Sequence, residues 1–206
     1  MGDISVVDIR ILIEFLRVRG TGLHLVVGPR TAADGSCFLH AMRQSMIHLK
    51  KKGKWSGPIP EDVEDLRAQV VQFMSTHRAL WTRPSFNQET GLYQDAPLTD
   101  DIFNNLLKQQ AEPRTWTDTD GYFVQGTCMY LHVELHVILP SIPGEIMESG
   151  LGGPYQIINK SDHAPEEQSV FFVGLIQDQR NNGHYQFLFK AENQEPEQFP
   201  ALIRGK

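Results

Sequence analysis

The chain has 206 residues, 40% of them hydrophobic, and a formal charge of −6 at pH 7; it carries enough apolar material for a substantial core, and nothing forces a division into two domains. The acidic balance disfavours a nucleic-acid footprint, which needs a clustered excess of Lys and Arg, and is compatible with a basic protein partner. Two cysteines, Cys37 and Cys128, form one disulfide at most, and the absence of a secretory signal pattern leads us to expect a reducing compartment, the cytosol of its own or a host cell.

Ile4 to Val18 is apolar but interrupted by Asp3, Asp8, Arg10, Glu14 and Arg17 at helical intervals, so it reads as an amphipathic helix and not a membrane span. Leu23 to Val27, before Gly28-Pro29, reads as a short strand leading into the polar turn Asp34-Gly35-Ser36. From Cys37 to Lys52 the apolar residues Phe38, Met42, Met46 and Leu49 fall at spacings of four, four and three, one face of a helix. Asp34 and Ser36 suit its amino end, and Lys50 to Lys52 followed by Gly53 suit its carboxyl end; that placement accounts for the chain's one basic run. Cys37 then lies in the first turn. Free backbone amides and the positive end of the dipole favour a thiolate there, below the usual thiol pKa of about 8.5, and the same amides can hold an oxyanion.

After the loop Ser56 to Pro60, a helix is expected from Glu61 to about Leu80 on the stripe Val63, Leu66, Val70, Phe73 and Met74. Residues 82 to 100, rich in Pro, Asn and Gly, read as a surface loop able to contact a partner. Ile102 to Gln110 is a short helix, leading to the polar turn 115 to 121. A helix from Tyr122 to about His132 then passes into Val133 to Leu139, which alternates like a half-buried strand. A Gly/Pro-rich connection from 140 to 154 precedes strands at Tyr155 to Ile158, Phe171 to Ile176 and His184 to Phe189, the last two joined as a hairpin. The expected class is α+β, a mixed or antiparallel sheet flanked by helices.

Among the eight histidines, His184 stands out, because Asn181-Asn182-Gly183 is a polar turn opening an aromatic strand. His184 and Gln186 share one strand face, so the Gln186 amide is placed to orient the imidazole while the other nitrogen meets a thiol. His132 and His136 are four apart, but the zincin pattern needs Glu directly after the first His and this segment alternates like a strand, so no metal site is assigned. Cys128 and the tryptophans 55, 81 and 116 read as packing residues.

Taken together, Asp34-Gly35-Ser36-Cys37-Phe38-Leu39, Trp116 with Asp120-Gly121 before a helix and strand, and a late His184-Tyr185 pair resemble the ovarian tumour (OTU) family of cysteine proteases. The resemblance covers most of the chain, with the chemical motifs in the family's order. It implies a papain-like OTU fold, mapped here as one catalytic domain over 1–206, with an N-terminal helix and strand extension at 1–28 and a core at about 29–190. It also implies deubiquitinase activity on ubiquitin or polyubiquitin without a metal or other cofactor. Carried onto this chain, Cys37 is the nucleophile and His184 the general base and later acid. Asp34 is counted with them, and the backbone amides of Asp34, Gly35 and Cys37 form the oxyanion hole. The family usually has Asn or Asp two residues after the histidine; this chain has Gln186, which leaves Gln186, Asn182, an acid elsewhere or a Cys-His dyad as alternatives. A protease for another ubiquitin-like modifier and a catalytically weak ubiquitin-binding module are the rival readings.

Overall fold

The structure is a computed structural model and describes residues 12–13, 24–32, 34–88, 90–112, 121–139, 155–158, 169–177 and 183–191. The predicted helix at 4–18, the turn at 115–120, the connection 140–154 and Asn182 lie outside them, apart from Leu12 and Ile13, which are helical.

In chain order the elements are β1 (Leu25–Val27), α1 (Cys37–Lys51), α2 (Val63–Thr76), a 3-10 turn (Arg78–Leu80), β2 (Thr82–Asn87), β3 (Leu92–Pro97), α3 (Asp100–Ala111), α4 (Tyr122–Leu131), β4 (Val133–Ile138), β5 (Tyr155–Ile158), β6 (Ser169–Gln177) and β7 (Gly183–Lys190). A five-stranded sheet has the order β1-β7-β6-β4-β5. β4 and β6 run parallel, and the other neighbours are antiparallel. This is the mixed sheet of the expected α+β class.

Side chains alternate across the sheet and sort into two apolar layers. Leu135, Val137, Phe171, Val173, Tyr185 and Phe187 face the main core, which α1, α2 and α4 complete with Phe38, Met42, Leu66, Met74, Phe123 and Cys128. Ile138, Phe172, Ile176 and Leu188 face the other way and pack with Leu12. With cover on both sides, β4 is more buried than the half-buried strand its alternation predicts. Cys128 is fully buried, and Trp81 sits in the same core with its indole N–H donated to Met74 O at 3.0 Å.

Two sequence expectations are corrected. Residues 82 to 100 are not a loop: β2 and β3 pair in register from Thr82↔Pro97 to Asn87↔Leu92. Pro84 and Pro97 argue against a central strand, but a two-stranded ribbon has two open edges, so a residue without an N–H costs it little. Ser36 precedes α1 but makes no side-chain cap, because its hydroxyl is engaged by Arg67 and Glu64. The carboxyl end of α1 does close as expected, with Gly53 N–H on Lys50 O and Lys54 N–H on Leu49 O.

The packing of α1 on β7 positions everything that follows. Phe38 stacks edge-on against Tyr185 at 5.0 Å, and His48, near the other end of the helix, lies against Phe187 and Phe189 at 5.6 and 4.7 Å. Helix and strand therefore run in the same sense. Their two starts, Cys37 and Gly183-His184, come to one end of the sheet.

Candidate active site

The turn before α1 is held from below. Gly35 has φ 85°, a left-handed conformation that a residue with a Cβ adopts only at a cost. Asp34 Oδ1 accepts the Ser36 N–H at 2.9 Å, and Asp34 Oδ2 lies 3.1 Å from His40 Nε2, one turn into the helix. Burial alone would raise the Asp34 pKa, but the Ser36 N–H and His40 outweigh it and hold the carboxyl below its ordinary value. Ser36 is fully buried; Arg67 donates to its hydroxyl at 3.0 Å and to Gln110 O at 3.0 Å, tying the turn to α2 and the end of α3.

On the opposite side, β1 ends at Val27, opposite Leu188, so the first residues of β7 have no β1 partner. The segment leaving β1 fills the gap. Gly28 N–H donates to Phe187 O at 2.9 Å, and the Thr31 hydroxyl donates to Tyr185 O at 2.5 Å. The Tyr185 N–H, in turn, donates to Cys37 Sγ at 3.4 Å. The sulfur is thus seated against the residue that follows His184. His184 itself is 1% exposed, and its Nε2 lies 2.9 Å from Thr31 Oγ1.

The thiol is not the low-pKa group that its helix position predicts. Burial is the largest influence and pushes the Cys37 pKa up; the N–H groups of Tyr185 and Phe38 and its own amide pull it down, while the negative charge of Asp34 adds to the rise, and the net direction is upward. Helix-start stabilisation of a thiolate presumes a solvated or cation-lined site, and Cys37 is only 5% exposed. Cys37 therefore rests as a neutral thiol.

Cys37 and the strand start carrying His184 are brought together as expected. Asp34 instead turns to Ser36 and His40. Because Asp34 takes the Ser36 N–H, that amide is unavailable to an oxyanion. Gln186 does not orient the ring directly. Its Oε1 accepts the Thr31 N–H at 3.3 Å, and its Nε2 donates to Pro29 O at 2.8 Å and Gly28 O at 3.2 Å. Two residues that hold this site, Thr31 and Arg67, stand outside the sequence motifs. Thr31 gives no signal there, since its role depends on a partner 153 positions away. Arg67 does give one: it stands in the apolar stripe of α2 between Leu66 and Val70, where a cation needs a buried partner. His132 closes α4 with φ 52°, while His136 projects from β4 to pair with Glu134.

The fold and the order of these parts define the class: this is the OTU fold, an α+β architecture with a helix-start cysteine facing a late histidine strand. The chain aligns with the OTU domain of OTUD1 at TM-score 0.54, with 14% identity over 89% of this chain and 95% of that one. An OTU deubiquitinase from Wolbachia pipientis wMel, bound to ubiquitin, aligns at TM-score 0.46, with 17% identity over 81% of this chain and 96% of that one. No protein-family profile matches the sequence, and no curated protein does.

Proposed function

We propose that this chain is a thiol-dependent deubiquitinase that hydrolyses the isopeptide bond after the carboxyl-terminal glycine of ubiquitin. The observation that carries the reading is the Tyr185 N–H bond to Cys37 Sγ, which seats a helix-start thiol at the mouth of the strand bearing His184. The D-G-S-C and H-Y motifs and the OTU fold support it.

In this reading His184 takes the thiol proton as sulfur attacks the carbonyl carbon, and the oxyanion is received by amides of the Asp34-Gly35 turn and Cys37. The C–N bond breaks, the leaving amine takes the proton from His184, and a thioester remains. Water, deprotonated by His184, attacks the thioester carbonyl; the C–S bond breaks, the sulfur takes the proton back from His184, and the ubiquitin carboxyl group is released. Because the thiol rests protonated, its transfer of a proton to His184 is part of the acylation step.

A ubiquitin probe with a carboxyl-terminal electrophile tests this. Wild type is expected to form a covalent adduct at Cys37, the Cys37→Ala variant none. A folded wild type that stays unlabelled sinks the proposal. One observation favours a second reading, a catalytically weak ubiquitin-binding module: burial holds the Cys37 thiol above its ordinary pKa. Retained ubiquitin affinity in Cys37→Ala, with no chain cleavage by wild type, selects the module.

A further inference from the structure

The hydrogen bonds around Thr31 bear on which imidazole nitrogen of His184 carries the hydrogen. A backbone carbonyl cannot donate, so at 2.5 Å the Thr31 hydroxyl must give its proton to Tyr185 O. That proton is then spent, and the contact between Thr31 Oγ1 and His184 Nε2 at 2.9 Å can be a hydrogen bond only if Nε2 carries the hydrogen. In the neutral ring the lone pair is then on Nδ1. All three partners are buried: Thr31 and His184 are 1% exposed and Tyr185 is 9%. Water is a poor competitor for any of these bonds.

The backbone that carries the hydroxyl is fixed by Gln186. The Thr31 N–H goes to Gln186 Oε1 at 3.3 Å, and the same carboxamide holds Pro29 O at 2.8 Å through Nε2. Gln186 is fully buried and has no direct bond to the imidazole among its side-chain partners. Its length is thereby explained, since it spans from β7 to the strip leaving β1 and acts through Thr31.

We propose that Thr31 is the positioning residue for His184: its hydroxyl holds the ring as the Nε2–H tautomer and leaves Nδ1 as the nitrogen that takes the Cys37 proton. The inference deepens the deubiquitinase reading and rests on it for the role of His184. During attack the S–H proton moves to Nδ1 as the S–C bond forms, and it leaves Nδ1 with the amine. The Nε2 proton stays on the ring throughout, bonded to Thr31.

Imidazole ¹⁵N NMR of the unreacted protein at pH 8 tests the tautomer independently of any ubiquitin chemistry. Wild type is expected to show His184 protonated on Nε2 and bare on Nδ1; the reverse overturns the proposal. Thr31→Val keeps the shape and removes the hydroxyl, and is expected to scramble the tautomer and lower kcat on a ubiquitin carboxyl-terminal amide by at least about tenfold with KM unchanged. Thr31→Ser is expected to restore both. A folded Thr31→Val with wild-type kcat and tautomer, or a Thr31→Ser that is no better than Thr31→Val, overturns the proposal. Should wild type not act on ubiquitin, the deubiquitinase reading fails by itself; the tautomer, and the alkylation rate of Cys37 in the two variants, still decide the role of Thr31.

Discussion

Arg67 Nη2 donates to the hydroxyl of Ser36 at 3.0 Å, joining the buried face of α2 to the residue immediately before Cys37. The guanidinium is 2% exposed and reaches Gln110 O through Nη1 while Nε faces Glu64 at 3.2 Å. Its fork shape lets one side chain serve three partners at fixed angles. Replacing it by Met leaves the Gln110 carbonyl and the Ser36 hydroxyl without this donor, at an expected cost of about 2 to 3 kcal/mol in urea unfolding. Lys, a single point donor, is expected to recover less than half. If Arg67→Lys unfolds at the wild-type midpoint, the fork geometry is not what matters.

Gly28 passes so close to β7 that an added Cβ would stand 2.2 Å from Phe187 Cδ1. The Phe187 ring is buried in the core and packs against His48 of α1. Gly28→Ala must therefore push the 28–31 strip off β7, costing about 1 to 3 kcal/mol and loosening the Thr31 contacts with it. Amide exchange at Gly28, whose N–H bonds Phe187 O, is expected to quicken in the variant. Unchanged exchange and stability would mean that the strip tolerates displacement.

What was legible in the sequence divides along the same lines. The helix at Cys37 could be read because period and carboxyl end agree, and the sheet strands because each is bounded by turn residues. The β2–β3 ribbon could not, since Pro84 and Pro97 are strand breakers everywhere except at a free edge. The pairing of Cys37 with the His184 strand was legible only through the motif order. The state of the thiol was not legible, because a helix start argues for a thiolate while burial, which depends on how α1 packs against β7, argues against it more strongly. Thr31 belongs to this last kind: contacts made at long sequence separation leave no local pattern.

The raised thiol has a kinetic signature. Alkylation of Cys37 by chloroacetamide, followed by mass spectrometry, is expected to keep accelerating above about pH 9.5, where an unperturbed thiol of pKa about 8.5 has levelled off. Asp34→Asn keeps an oxygen for the Ser36 N–H but removes the negative charge that contributes to the rise. Losing that charge lowers the Cys37 pKa, so more thiolate is present at pH 8, and the rate is expected to rise about twofold to fivefold. A wild-type rate that plateaus below about pH 8 would show that burial does not control the sulfur.

Cys128 makes the corresponding thermodynamic prediction. It is fully buried in α4, and burial drives its pKa far above the ordinary thiol value. A folded-state pKa raised above the unfolded one means that the native protein holds the proton more tightly. The resulting stability is complete below about pH 8.5 and is lost as pH climbs from there toward the folded-state value. Once the unfolded thiol is ionised, each such group is expected to cost about 1.4 kcal/mol of stability per pH unit. Cys37 and Tyr130 are shifted in the same direction, so wild type alone will not isolate Cys128. The difference between wild type and Cys128→Ala does. At pH 7 the variant is expected to be less stable by about 1 kcal/mol from the cavity it leaves, and the gap should close or reverse between about pH 9 and 10.5, because only wild type still loses the Cys128 share. Urea midpoints that stay parallel across that range would show that Cys128 ionises as readily folded as unfolded, and that the α4 core admits more water than its burial implies.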